Sequence, residues 1–325
     1  MLDEIGFYTL SDYRTTQNSS TSPMWRCELI LTDKCNFNCV YCRGLSSELK
    51  GDMALDEAKK TVLHWSKDNL LNVRFSGGEP TLYRDLVNLV KYTKSLGTER
   101  IALSTNGSAK MDLYKKLIDA GVDDFSVSLD ACCASFGDKM AGGKCGFDRI
   151  IENIKFISGK VYTTVGIVIT EQNISNFVDT VKYAHGLGVS DIRIISAAQY
   201  NEILKEAIKI PDAILRSHPI LKYRVDNILS GRNVRGIKPG DTNKCYFPLD
   251  DSVIAGNYHF PCVIYMREGG NPIGVVNDKM RIDREKWYTA HDTHSDSICL
   301  ENCLDVCIDF NNACHRKEHL GSIKG

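Results

Sequence analysis

The stretch LTDKCNFNCVYCRG, residues 31–44, closes an apolar run with three cysteines, Cys35, Cys39 and Cys42, spaced C-x3-C-x2-C. Three thiolates this close on one loop can hold three corners of an iron–sulfur cube, which leaves the fourth iron without a protein ligand. An open iron points to chemistry on an added molecule. Four protein ligands would point to a closed structural or electron-transfer site.

Outward from this loop, strand-like and helical patterns alternate. Residues 28–32, 71–75, 101–103, 124–129, 161–169 and 191–195 read as strands. Residues 55–65, 82–96, 111–120, 147–157 and 174–187 read as helices, two of them closed by Gly121 and Gly188. In the first helix Leu55, Ala58, Val62 and Trp65 share one face. Six strands alternating with helices require right-handed crossovers and a parallel sheet, so the fold class is α/β. Such a sheet presents its site at the carboxyl ends of its strands, and the cysteine loop lies at that end.

The flanks differ in character. Residues 1–25 are polar and rich in Ser and Thr, an N-terminal extension with little regular structure expected. The alternating region spans 26–210, with a further helix expected over 202–210. Residues 211–244 form a basic linker, in which 222–244 carry Lys222, Arg224, Arg232, Arg235, Lys238 and Lys244 against Asp226 and Asp241. Residues 245–325 are Cys-rich and turn-rich, without a clear amphipathic core, and read as a small unit stapled by metal.

Bulk properties narrow the class. The net charge of −1 gives no global attraction to nucleic acid or membranes. No apolar run approaches the roughly 18 residues of a membrane span, and the acidic start is not a secretory signal. A cytoplasmic protein is expected, in which clustered cysteines serve metal rather than disulfides.

Three further motifs lie at strand ends. The second strand runs into Gly77-Gly78-Glu79-Pro80: paired glycines admit close backbone approach, and Glu79 can accept hydrogen bonds from an ammonium group. A plain strand-to-helix turn with a solvated Glu fits the same residues. The third strand ends in Ser104-Thr105-Asn106-Gly107, whose short polar groups suit hydroxyls or a carboxylate, or simply a turn. In the fourth, alternation places Ser126, Ser128 and Asp130 on one face, as in a wet barrel lumen or a solvated sheet.

Taken together over roughly residues 26–200, these motifs resemble the radical S-adenosylmethionine (SAM) superfamily: the cysteine loop with Tyr41 before its third Cys, GGEP after the second strand, a Ser/Thr-Asn-Gly turn after the third, and S-x-S-L-D as the fourth. The resemblance implies a partial (β/α)6 TIM-like barrel. It implies that Cys35, Cys39 and Cys42 ligate a 4Fe–4S cluster whose open iron chelates the amino and carboxylate groups of SAM. Glu79 with Gly77 and Gly78 would hold the amino group. Ser104, Asn106 and Ser128 are candidates for carboxylate and ribose, and Tyr41 would border adenine. Reductive cleavage of SAM would yield a 5′-deoxyadenosyl radical that abstracts a substrate hydrogen. A flavodoxin- or ferredoxin-like electron donor is implied as partner.

The late cysteines extend the resemblance. Cys245, Gly256 and Cys262 precede CLENCLDVCIDFNNACHRK, residues 299–317. This looks like the SPASM or shorter twitch extension, with departures: the Gly-to-Cys gap is five residues, the later spacing is C-x3-C-x3-C-x6-C, and there are six cysteines rather than seven. At least one auxiliary 4Fe–4S cluster is expected, held by Cys245 and Cys262 with members of Cys299, Cys303, Cys307 and Cys314. A zinc site accepts the same thiolates. Cys132, Cys133 and Cys145 are buried thiols or hydrogen donors, and the basic linker is a solvated face or a grip for an anion.

Three functions compete. The leading expectation is radical modification of a peptide or protein side chain. The alternative is modification of a small molecule, a nucleotide or a base in nucleic acid, the nucleic acid itself being less favoured. The third is a non-catalytic iron–sulfur carrier or sensor, against which the SAM motifs speak.

Overall fold

The computed structural model describes Leu2 and residues 10–44, 50–197, 203–205 and 208–322, with side chains to His319. Of the helix expected over 202–210, residues 203–205 are helical and 208–210 are not, while 202, 206 and 207 lie outside the described residues.

The chain opens with α1 (Asp12–Gln17), then β1 (Arg26–Ile30), α2 (Leu55–Ser66), β2 (Asn72–Ser76), α3 (Leu86–Ser95), β3 (Arg100–Thr105), α4 (Met111–Ala120) and β4 (Asp124–Ser128). Next come α5 (Ala134–Met140), α6 (Phe147–Ser158), β5 (Tyr162–Ile169), α7 (Phe177–Gly186) and β6 (Asp191–Ser196). The remainder holds α8 (Asp212–Ser217), α9 (Pro219–Leu229), α10 (Phe247–Asp250), β7 (Asp251–Ala255), β8 (Tyr258–Phe260), α11 (Val263–Arg267), β9 (Gly274–Val275), α12 (Met280–Ala290), α13 (Ser297–Asn302) and α14 (Asp305–Ser322).

One sheet runs β6-β5-β4-β3-β2-β1-β7-β8-β9. Strands β1 to β6 are parallel in sequence order, the α/β partial barrel that the alternation calls for. Amphipathic helices cover its outer face. In α2, Ala58, Val62 and Trp65 are fully buried, as the helical spacing predicts. In α4, Gly121 closes the helix at φ +112, a left-handed conformation open to glycine. Outward strand residues such as Val73, Phe75, Leu103 and Phe125 meet these helices in the main core. Glu28 and Arg74 stand in register on the other face. The polar face of β4 therefore lines a lumen rather than bulk solvent.

Three expectations change. The described part of the N-terminal extension, from residue 10, is not featureless: Ser11 caps α1 by accepting from Arg14 N at 3.1 Å, and the hydroxyls of Thr15 and Thr16 donate to carbonyls three residues back. Arg14 is buried against Asp250, donating from Nε at 2.8 Å, and stacks over the rings of Phe310 and Phe247. The stretch after 245 has its own apolar core, with Leu10, Tyr246, Phe247, Leu249, Val306 and Phe310, and its β7 pairs in parallel with β1. The region therefore continues the sheet. In the basic linker, Arg224 is buried and ion-paired with Asp305, and Lys222 pairs with Asp226 on its own helix. These two cations are engaged structurally rather than left to grip an anion.

Candidate functional site

The cysteine loop leaves β1 and is gripped from both sides. Gly78 N donates to Thr32 O at 2.7 Å, and Glu79 N to Lys34 O at 2.8 Å. A Cβ on Gly77 would stand 2.5 Å from Thr32 O, and one on Gly78 2.3 Å from Lys34 O. The paired glycines thus admit the cysteine loop itself, where the sequence alone suggests room for a ligand. On the other side Asn38 N and Val40 N donate to Ala141 O and Met140 O at the end of α5. A Cβ on Gly142 would lie 2.2 Å from Asn38 O. This is a second wall, in a region that reads as a loop in the sequence.

Cys35, Cys39 and Cys42 line a cavity of about 300 Å³ together with Tyr41, Gly77, Gly78, Glu79, Ser104, Asn106 and Ser128. Every sequence-predicted residue of the first cluster and of SAM binding is therefore at one site. Cys35 and Cys42 are exposed, and each sulfur accepts a backbone N–H at 3.4 Å, from Phe37 and Gly44. Burial, with Asp130 next, pushes the Cys39 thiol up to about 12. Among the described residues no three of the loop's sulfurs lie within 4.8 Å of one another. A single tetrahedral ion at Zn–S of about 2.3 Å would need sulfurs about 3.8 Å apart. Three thiols not all within 4.8 Å of one another, two of them exposed, fit a larger iron–sulfur cube.

Glu79 behaves differently from its sequence reading. Its carboxylate is buried and takes four donors: Thr81 N at 3.0 Å, Thr81 Oγ1 at 2.6 Å, Thr105 Oγ1 at 2.8 Å and Asn106 N at 2.6 Å. Burial raises its pKa and these hydrogen bonds oppose the rise. It rivets the β2 turn to the β3 turn. Asn106 extends the rivet by donating from Nδ2 to Asn36 Oδ1 at 2.9 Å. Ser128 remains exposed to the cavity, while Ser104 Oγ accepts from Arg74 at 3.4 Å. Tyr41 is fixed by donating to Asp130 Oδ2 at 2.5 Å, and Val168 N holds the other oxygen at 2.7 Å. Burial raises Asp130 to about 6. Met140, Phe147 and Ile150 supply an apolar wall. Cys145 joins that wall, whereas Cys133 is exposed at the start of α5.

Sequence reading missed several cations. Arg193 on β6 donates to Ser126 Oγ at 3.2 Å, below the cavity. Its pKa falls to about 10, through burial first and then Arg74 and Arg224, so it stays charged at neutral pH. Arg267 lines the cavity mouth. A charged residue inside apolar strands (NVRFS, DIRIIS) was the available signal for Arg74 and Arg193.

The second cysteine group assembles through the β7–β8 hairpin, whose turn uses Gly256 at φ +56. It returns Cys262 towards Cys245. The Cys303 thiol feels the charges of Cys307, Cys245, Cys262 and Cys299, although no three of these sulfurs lie within 4.8 Å of one another. Burial first, then mutual repulsion, raises these thiols, and burial pushes Cys262 to about 11 and Cys307 to about 12. Such a cage suits a cationic metal group that stabilises the thiolates. Cys314 is not brought there: it is buried among Leu10, Tyr246, Phe247 and Phe310, and its charged neighbours are Asp250, Arg14 and Glu318. It lies on α14 about two helical turns beyond Cys307, which spacing alone does not show.

Comparison with known proteins adds three findings. Residues 29–184 match the family model of the radical SAM superfamily. A probable GTP 3′,8-cyclase of Saccharolobus solfataricus is 34% identical over 178 residues, 53% of this chain and 57% of that protein. One from Sulfurisphaera tokodaii is 27% identical over 201 residues, 61% and 64% respectively. The chain thus spans less than two thirds of the curated relatives it matches. Among solved structures, anSMEcpe with bound AdoMet aligns with a TM-score of 0.61 at 17% identity, covering 92% of this chain and 98% of that one. Streptococcus suis SuiB bound to its precursor peptide SuiA aligns at 0.57 and 17%, covering 85% and 67%. At these identities the two structures speak to fold alone. Residues 29–184, just under half of the chain and including the cysteine loop, are a radical SAM superfamily domain, the kind that uses a 4Fe–4S cluster and SAM.

Proposed function

We propose that the protein cleaves SAM reductively and uses the resulting radical to modify an anionic small molecule of the nucleotide class. The observation that carries the first half is the convergence of Cys35, Cys39 and Cys42 with the Gly77–Gly78–Glu79 turn on one cavity at the carboxyl ends of the strands. Bound there, a 4Fe–4S cluster and SAM would supply reductive SAM cleavage and hydrogen-atom abstraction, the cofactors' own chemistry.

The chain's own residues would do the rest. The three thiols hold the cluster, with the N–H groups of Phe37 and Gly44 on two sulfurs to tune its potential. Ser128 offers a hydroxyl, with Ser104 behind it, for the carboxylate or ribose of SAM. The backbone of the Gly77–Glu79 turn offers carbonyls for the amino group, with Glu79 bracing the turn. Tyr41, held by Asp130, presents its ring edge to the cavity. The wall of Met140, Phe147 and Ile150 excludes water from a reactive intermediate.

For the substrate, the relatives named GTP 3′,8-cyclase support the nucleotide alternative over a peptide. Arg74 and Arg193, beside Ser104 and Ser126 on the inner face of the sheet, supply guanidinium groups of the kind that bind phosphate. Glu28 and Asp124 share that floor and hold the arginines in place electrostatically. The second thiol cage supports a SPASM- or twitch-like auxiliary 4Fe–4S cluster, with five thiols (Cys245, Cys262, Cys299, Cys303 and Cys307) available for four positions. The reading also places the protein in the cytoplasm with a flavodoxin- or ferredoxin-like donor. Among the described residues no helix is long and apolar enough to cross a membrane.

The test is anaerobic reconstitution with iron and sulfide, reduction, and chromatography of the products. Wild type is expected to form 5′-deoxyadenosine from SAM, and more of it with a purine nucleoside triphosphate than with short peptides. Absence of 5′-deoxyadenosine from a cluster-loaded protein would overturn the reaction, and stimulation by peptides alone would overturn the substrate class.

A further inference from the structure

Helix α11 is only five residues long, yet it joins the two cysteine groups. Its N-cap is Cys262, whose sulfur accepts from Tyr265 N. Its other end carries Arg267 and Glu268, which reach the first site. Arg267 donates to Gly44 O at 2.9 Å, just past Cys42, and to Gly77 O at 3.1 Å, in the turn beside Glu79. Glu268 forms an ion pair with Arg43, the residue after Cys42, and lies 3.8 Å from Arg235. Those two arginines in turn hold the end of β6: Arg43 donates to Ala197 O at 2.8 Å and Arg235 to Ser196 O at 2.9 Å. The helix is anchored beneath by Met266, which is fully buried, and by Tyr265, which donates to Asp296 Oδ2 at 2.9 Å, near Cys299.

We propose that α11 is a strut between the two cluster sites and that Arg267 is a positioning residue for SAM, acting through the Gly44 and Gly77 carbonyls. A guanidinium suits the task because its planar fork serves two acceptors that belong to different loops. Both loops border the place where SAM would lie, so their separation fixes the cavity's width. Occupation of the Cys262 site pins one end of α11 and thereby the other. This deepens the function proposed above and rests on it.

The test uses reconstituted full-length protein and two readouts other than turnover: SAM affinity by anaerobic equilibrium dialysis, and the change that SAM produces in the electron paramagnetic resonance signal of the reduced protein. Arg267→Ala is expected to keep the iron of wild type and to weaken SAM binding about tenfold or more, the scale of two lost charge-assisted hydrogen bonds. Arg267→Lys should recover part of the loss, since an ammonium can serve one of the carbonyls. Glu268→Gln, a milder change that keeps the helix length, should weaken SAM binding in the same direction. Cys262→Ser should lower SAM affinity while leaving the first cluster in place, and adding Arg267→Ala to it should cost little more. Unchanged or tighter SAM binding in Arg267→Ala, or full additivity with Cys262→Ser, overturns the strut. Failure of wild type itself to bind SAM overturns the function instead, so the two failures are distinct.

Discussion

At the scale of single residues, the site depends on contacts that no spacing rule encodes. Gly78 is required because its neighbour is the backbone of the cysteine loop, 2.3 Å from where a Cβ would be. Backbone cannot step aside as the tip of a side chain can. Gly78→Ala is therefore expected to lower stability by about 1–3 kcal/mol and to reduce cluster loading, read by denaturant unfolding and iron analysis. His259 gives a pH test. It is fully buried, its Nδ1 lies 3.2 Å from Arg284, and burial first and then that guanidinium push its pKa to about 3. The unfolded chain binds a proton near pH 6.5 that the folded chain refuses. Stability contributed by neutral His259 is thus complete above that pH and falls as pH drops through 6 and 5, by about 2 kcal/mol at pH 5. Unfolding midpoints at pH 7.5 and 5 should show the fall, and His259→Gln should flatten it. The sequence offers nothing to single out His259 among eight histidines, because its property comes from the arginine packed on it.

At the scale of elements, the legible part was the part with a period. Helix α4 matches its sequence-predicted span, 111–120, and each of β1 to β6 begins or ends within two residues of its expectation, because apolar residues recur at the spacing of one buried face. Helices α1 and α5 were illegible because they are short and their faces are set by partners far along the chain. For α1 the partner is a carboxylate 236 residues away. Its Ser and Thr residues resemble a loop until they are seen to cap and back-bond. The energetic consequence is testable. Arg14→Ala would leave Asp250 buried without its cation, while Asp251 keeps Arg26, and a loss of about 3–5 kcal/mol is expected in denaturant unfolding. Asp250→Asn added to Arg14→Met should restore part of that loss, since the partner charge then goes too. Equal loss in the double variant would mean that the helix matters for its packing over Phe310 and not for its charge.

At the scale of the whole molecule, the sheet does not stop where the alternation stops. Strand β7 lies beside β1 with Arg26 opposite Asp251, so the strand that feeds the cysteine loop is flanked on one side by β2 and on the other by the Cys-rich segment. This lets residues separated by more than 200 positions share one site, as Arg267 and Gly44 do. It also sorts the late cysteines. Cys245, Cys262, Cys299 and Cys307 act electrostatically on Cys303, whereas Cys314 lies in the apolar core beside α1. Iron analysis separates the two fates. Cys39→Ala and Cys303→Ser should each lose about four irons of a protein that holds two cubes, from different sites. Cys314→Ser should lose none, at the cost of stability through a hydroxyl buried among aromatic rings. If Cys314→Ser instead sheds iron while Cys303→Ser keeps it, the placing of Cys314 in the apolar core and of Cys303 at the second site is overturned.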